Sequence, residues 1–172
     1  MAEHIAHWFQ NVPAEAITLL IAMLPIAELR GAIPWALTNP PIGGGLTWQT
    51  AYVYSVIGNF IPVIPILLLL EPVSNWLRRF RVFDRFFNWL FERTRRRGKM
   101  IEKYKAVGLI LFVGIPLPVT GAWTGSVAAF LFGVRTRFAI PCIIAGILLA
   151  GVVVTLACMG VIGFIGIMKI GA

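Results

Sequence analysis

The sequence predicts an all-α membrane protein with two re-entrant helical hairpins and two transmembrane helices in an inverted repeat, plus a cytoplasmic amphipathic surface helix. Composition is the first observation behind this prediction. Of the 172 residues, 59% are hydrophobic and 13% charged, whereas a soluble domain is roughly 45–50% apolar and 25% charged. The second is that uncharged apolar runs occur at 51–70, 106–134 and 138–168. Each reaches the ~20 residues that a helix needs to cross a bilayer core.

Charge distribution is the third observation. The net charge is +8, and the segment from Arg78 to Lys105 holds eleven Lys/Arg and three acidic residues, which accounts for all of it. Loops rich in Lys/Arg lie on the cytoplasmic side of a membrane. The segment is therefore predicted to be cytoplasmic in a multi-pass protein of the cell membrane, with the N- and C-termini outside. Nucleic acid is not an expected partner, because these charges alternate with large apolar residues between membrane segments.

The first hairpin is predicted at about 14–37, after an N-terminal helix. The uncharged stretch 16–27 is too short to cross a core of about 30 Å, and Glu28 and Arg30 follow it. We therefore expect a hairpin that enters from the outer face with the charged pair at its tip. A transmembrane helix at about 48–70 follows, and Pro62 and Pro65 are expected to kink it. The residues expected to break the helix around the pair are Pro25, Gly31 and Pro34.

The second hairpin is predicted at about 106–134. A straight helix of this length would measure about 43 Å, and Pro116 and Pro118 interrupt it. Both of its ends carry positive charge, which places both in the cytoplasm. The alternative is one long span kinked at the prolines. The flanking residues are Lys103, Lys105, Arg135 and Arg137.

The remaining segments complete the predicted order. Residues 72–105 are predicted to form a basic amphipathic segment on the cytoplasmic surface, where aromatic residues recur at helical spacing opposite a run of arginines that attracts anionic lipid. The last transmembrane helix is expected at about 138–168. Each half, 1–71 and 106–172, then contains one full crossing, so the second half is inverted relative to the first within a single membrane domain, 1–172.

Glu28 and Arg30 are the candidate functional pair. An ionisable residue inside a membrane is costly and by default indicates function. A desolvated carboxyl group binds a proton more readily, and an arginine fork contacts phosphate well. The alternative is that the pair only neutralises itself or caps the ends of the half-helices.

Other polar and turn-forming residues complete the candidate substrate- or ion-binding site. The hydroxyl groups of the second hairpin offer hydrogen bonds to a ligand, and backbone N–H groups at half-helix N-termini attract anions. For each such residue, packing is the competing role, and Asn59 is also suited to hydrogen bonding between helices. Besides Glu28 and Arg30, the set comprises Gly31, Pro34, Pro116, Pro118, Thr120, Gly121, Thr124, Ser126 and Asn59.

Two motifs carry a family resemblance: "PIAELRGAIP" at 25–34 and "GIPLPVTGAWTGSVAA" at 114–129. On these the chain resembles the prokaryotic small multidrug export proteins, which are similar to the DedA/VTT superfamily. That resemblance implies paired re-entrant loops whose tips meet in the membrane. It also implies functional roles for Glu28 and Arg30, and flippase or scramblase activity toward lipids such as polyprenyl phosphate.

The leading hypothesis is a small transporter that moves a lipid-like or anionic amphiphilic substrate with H⁺ or Na⁺ coupling. We expect a homodimer, because two spans and two hairpins bury little surface. One alternative is a proton-coupled exporter of cationic drugs, and another is a non-transporting scaffold that shapes the membrane. No enzyme activity, cofactor or metal site is expected, since no motif for one is present.

Overall fold

The computed structural model describes residues 12–77, 100–116 and 120–170 of the chain. Within these residues all regular secondary structure is α-helical, in agreement with the predicted class. The helices are α1 Ala14–Met23, α2 Glu28–Leu37, α3 Trp48–Phe60, α4 Val63–Leu77, α5 Met100–Gly114, α6 Ala122–Leu131 and α7 Thr136–Ile170.

In the part of the chain that the structure describes, two stretches are long and apolar enough to cross a membrane. One is Trp48–Ser74, formed by α3 and most of α4, and the other is Thr136–Val161 in α7. At 1.5 Å per residue, 26 or 27 residues measure about 40 Å, which spans a core of about 30 Å with tilt. The prediction of two transmembrane helices is thus confirmed by length and composition.

A single turn at residues 61–62 separates α3 from α4. Pro62 and Pro65 cause this break, because neither ring nitrogen can donate the hydrogen bond that a continuous helix requires. The Ile66 N–H donates to the Pro62 carbonyl at 3.1 Å and starts the new helix. The sequence-based expectation of a kink at these prolines agrees with this geometry.

The chain forms two compact units. The first unit comprises Met1–Asn59 and Gly151–Ala172, and the second comprises Phe60–Ala150. The first unit thus contains α1, α2, most of α3 and the later part of α7. The predicted single domain made of the halves 1–71 and 106–172 stays a prediction.

In the first unit, α1 packs against α2, and α3 crosses α1 at Gly58. A Cβ atom at Gly58 would overlap the Leu19 carbonyl oxygen and lie 2.9 Å from the Ala22 Cβ. The later part of α7 meets α3 at Gly151, where a Cβ atom would lie 2.7 Å from the Tyr52 ring. Glycine therefore permits both close helix crossings.

In the second unit, α6 packs against both α4 and α5. Val113 of α5 is the shared contact: a Cβ at Gly125 of α6 would overlap its Cγ2 atom, and one at Gly146 of α7 would lie 2.6 Å from its Cβ. Small residues on α6 and α7 thus bring these helices against α5. The buried apolar residues of this unit include Val63, Leu109, Ile143 and Ile147.

Two details differ from the sequence prediction. Gly31 and Pro34 do not break the helix but lie inside α2, whose buried face includes Leu29, Ala32 and Ile33. Burial of this face outweighs the one hydrogen bond that proline removes. Residues 72–77 and 100–105, predicted as part of the surface segment, continue α4 and α5. The rest of that segment, 78–99, lies outside the described residues.

Candidate functional site

Glu28 lies where the chain turns from α1 into α2. α1 ends at Met23, and residues 24–27 reverse the chain before α2 begins. The Glu28 N–H donates to the Leu24 carbonyl at 3.0 Å, and Glu28 has φ +46°. This left-handed conformation costs a non-glycine residue on the order of 1–3 kcal/mol and is concentrated at functional sites. The turn therefore fixes Glu28 in a conformation that helical propensity alone does not favour.

Glu28 and Arg30 contact each other. Arg30 Nη2 lies 3.6 Å from Glu28 Oε2. This contact is an ion pair too long to be a hydrogen bond, so it is not the short bidentate fork that arginine and carboxylate can form. Residues two apart on a regular helix point in different directions, and the left-handed backbone of Glu28 removes that constraint.

The two members of the pair differ in exposure. The Glu28 side chain is 7% exposed, whereas the Arg30 side chain is 26% exposed. A buried carboxylate requires a partner, because removing it from water is costly. The guanidinium supplies that partner and still presents part of its surface to a ligand. The acid is thus the protected member and the arginine the accessible one.

Gly31 and Pro34 shape the helix that carries the pair. A Cβ at Gly31 would lie 2.8 Å from the Cβ of Ala27, so glycine allows the turn to fold closely against the first turn of α2. Pro34 lies near the end of α2, where its carbonyl accepts the Thr38 N–H at 3.1 Å and the Thr38 hydroxyl at 2.8 Å. Gly31 therefore supports the turn that holds Glu28, whereas the Pro34 carbonyl helps to end α2 at Thr38.

The second predicted hairpin turns between α5 and α6. The Thr120 hydroxyl donates to the Ile115 carbonyl at 2.7 Å, which ties the two sides of the turn together across Pro116. Gly121 precedes α6, and its carbonyl accepts the Gly125 N–H at 2.8 Å. Pro118, another predicted site residue, lies outside the described residues.

Two more predicted hydroxyl groups bond within α6. Ser126 is buried and donates to the Ala122 carbonyl at 2.7 Å, and Thr124 donates to the Gly121 carbonyl at 3.4 Å. Bonds of this kind satisfy the hydroxyl proton inside its own helix. A role as ligand would therefore use the remaining acceptor capacity of each oxygen.

Asn59 lies on α3 in the first unit and is 1% exposed. Its Oδ1 has no hydrogen-bond partner within the described part of the chain, and the same holds for the Oγ of Ser55 and the Oγ1 of Thr155. Ser55 and Thr155 are not among the residues predicted for the site. Ser55 stands one helical turn before Asn59, and that spacing was the available signal.

The described residues contain no cluster of three or more His, Cys, Asp or Glu side chains that could hold a metal ion.

Comparison with known proteins gives one family. A family model described as "Putative small multi-drug export protein" matches residues 28–153, from Glu28 into α7. Searches of curated proteins and of solved structures gave no match.

Proposed function

Because the chain belongs to the small multi-drug export protein family, we propose that it is a membrane transporter in which Glu28 binds the coupling proton and Arg30 contacts an anionic group of the cargo. The observation that carries this proposal is the buried ion pair at the start of α2, with its acid 7% and its arginine 26% exposed. The cargo class that fits best is a small amphiphilic molecule with an anionic head.

The pair provides a means of coupling. When Glu28 is ionised, its carboxylate forms an ion pair with Arg30. Protonation of Glu28 would remove the negative charge beside the guanidinium, and Arg30 would then attract the anionic group of the cargo more strongly. Proton and anion would therefore favour each other's binding, and this linkage is reciprocal. One proton and one singly charged anion together carry no net charge across the membrane.

A cationic drug fits the pair less well. Its charge would have to approach Glu28, with the Arg30 guanidinium only 3.6 Å from the carboxylate and more exposed than it. Like charges at such distances repel strongly where water is scarce. The arginine thus favours anionic over cationic cargo within the same family of exporters.

We also propose that both helical hairpins are re-entrant in the cytoplasmic membrane. α1 and α2 have ten residues each and measure about 15 Å, half of the bilayer core. α5 and α6 have 15 and 10 residues, and basic residues stand before and after them in sequence. Hairpins entering from opposite faces, with the basic segment in the cytoplasm, would give the inverted arrangement of many transporters.

Substitution of Arg30 tests the cargo assignment. In proteoliposomes, wild-type protein should move dodecyl phosphate faster than dodecyltrimethylammonium, which has the same tail and the opposite charge. Arg30→Gln should abolish movement of the phosphate, and Arg30→Lys should retain part of it, because lysine keeps the charge but not the planar fork.

Arg135→Gln is the control for this experiment, because Arg135 is an exposed cation in the second unit. It should leave phosphate transport unchanged. Faster transport of the ammonium probe, with Arg30→Gln as active as wild type, would show instead that the chain is an exporter of cations.

A further inference from the structure

Ser55 and Asn59 form a buried polar pair on one face of α3. Their exposed fractions are 0% and 1%. Neither the Ser55 Oγ nor the Asn59 Oδ1 has a hydrogen-bond partner among the described residues. A buried polar atom without a partner costs about 1–3 kcal/mol in proteins, and α3 lies in a predicted membrane span where bulk water does not compensate. This cost calls for a functional explanation.

The usual partner of a buried helical hydroxyl is a carbonyl one turn earlier. Thr18 follows this rule in the same unit, since its hydroxyl donates to the Ala14 carbonyl at 2.7 Å. Ser126 follows it in the second unit. The Ser55 hydroxyl makes no such bond, so its oxygen and proton remain available to a partner other than its own helix.

The direction of the pair follows from helical geometry. Gly58 faces α1, and Val56, with Cγ2 3.3 Å from a Cβ built at Gly151, faces α7. With about 100° per residue, Ser55 and Asn59 project between these two directions. They therefore point into the interior of the first unit, between α1 and α7.

Glu28 lies in the same unit, and its helix contacts the same part of α1 as the end of α3. A Cβ at Gly58 would lie 2.9 Å from the Ala22 Cβ, and one at Gly31 would lie 3.7 Å from the Ile21 Cγ2. Ile21 and Ala22 are neighbours on α1, so the end of α3 and the first turns of α2 meet α1 at one level. Glu28 is the first residue of α2, three positions before Gly31.

We infer that Ser55 and Asn59 bind water molecules that carry protons to and from Glu28. This inference rests on the proposed function, since it supplies the path for the coupling proton. A water molecule can donate to the Asn59 Oδ1 while it accepts from, or donates to, the Ser55 hydroxyl. Side chains one turn apart on a helix have Cβ atoms about 5–6 Å apart, a separation that one water molecule bridges.

The relay step is a proton transfer alone. An excess proton on one water molecule passes to the next along the hydrogen bonds, and the last water molecule protonates a carboxylate oxygen of Glu28. Each water molecule gives up one proton and receives one, so the pair on α3 is unchanged after the transfer. Polar and ionisable residues inside membrane proteins commonly mark such proton paths.

Among the described residues of this unit, few titratable side chains can contribute to a pH dependence. Glu28 is the buried acid among those described, and its partner Arg30 accompanies it on α2. The others are carried by α1, α3 and α7. The described titratable side chains of the unit are Glu15, Glu28, Arg30, Tyr52, Tyr54 and Cys158.

Apolar substitution tests the relay with two readouts. Ser55→Ala and Asn59→Leu should leave thermal stability in detergent nearly unchanged, because each removes a polar oxygen together with the water molecule that satisfies it. Both should slow proton-coupled transport of dodecyl phosphate about tenfold, a barrier increase of about 1.4 kcal/mol. Equilibrium binding of the same probe at fixed pH should not change, which separates a relay from a cargo contact. Asn59→Ser, which keeps an oxygen for water, should restore much of the rate.

The matched control is Thr18→Val, because the Thr18 hydroxyl is buried in the same unit and already bonded. It should not change the transport rate. Wild-type rates in Ser55→Ala and Asn59→Leu, with Glu28→Gln inactive, would overturn the relay and leave the proposed function standing. Weaker probe binding in Asn59→Leu would also overturn it. A fully active Glu28→Gln protein would refute the proposed function itself, and the relay with it.

Discussion

Glu28→Gln should make transport of an anionic amphiphile independent of pH and reduce its rate strongly. Glutamine has the shape of glutamate but cannot bind the coupling proton. Glutamate and glutamine both carry a Cβ atom, so the backbone angle φ of +46° at position 28 strains the two residues equally. The measurement is the initial rate of dodecyl phosphate movement in proteoliposomes across the physiological pH range, with and without an imposed proton gradient.

Glu15→Gln is the control for Glu28→Gln. Glu15 is an acid on α1 in the same unit and is half-buried rather than buried. The control protein should keep the wild-type rate and pH profile. If Glu28→Gln also kept both, coupling through this acid would be excluded, and the pair with Arg30 would be a structural neutralisation.

Gly58→Ala should disrupt the first unit. The added Cβ would overlap the Leu19 carbonyl oxygen and press on the Ala22 Cβ. A backbone oxygen cannot rotate away as the end of a long side chain can, so α3 must move from α1. We expect a loss of about 3 kcal/mol, the upper end of the usual cost of overpacking. Transport should fall too, because α1 forms the hairpin that carries Glu28.

Gly160→Ala provides the matched comparison for Gly58→Ala. Gly160 is a helical glycine in the same unit, and a Cβ there meets nothing within 4 Å in the described structure. Alanine at this site should be neutral or stabilising by up to about 1 kcal/mol, because alanine favours helix over glycine. Equal melting temperatures for the two variants in detergent would contradict the close crossing of α1 and α3.

The helical architecture could be predicted largely from segment lengths and prolines. Apolar length identified both membrane-spanning stretches, and Pro62 with Pro65 indicated the break between α3 and α4. In the stretch where the first hairpin was expected, two ten-residue helices occur. These properties depend on local sequence, so they could be predicted without knowledge of tertiary contacts.

The buried faces could not be predicted in the same way. In a helix that is apolar all round, the side facing lipid and the side facing protein have the same composition, so periodicity does not distinguish them. The burial of Ser55 and Thr155 therefore emerged only from the structure. The positive φ of Glu28 was equally hidden, because that conformation is usually signalled by glycine. The continuity of α2 through Pro34 depends on packing of its buried face.

The re-entrant path of the two hairpins is the central claim, and single-cysteine labelling in intact cells and inverted vesicles tests it most directly. In a chain with Cys142 and Cys158 replaced by serine, cysteines at Ala106 and Val134 mark the ends of the second hairpin. Both should react with an impermeant reagent from the cytoplasmic face alone. Labelling of the two positions from opposite faces would show that this segment crosses the membrane, which contradicts the account.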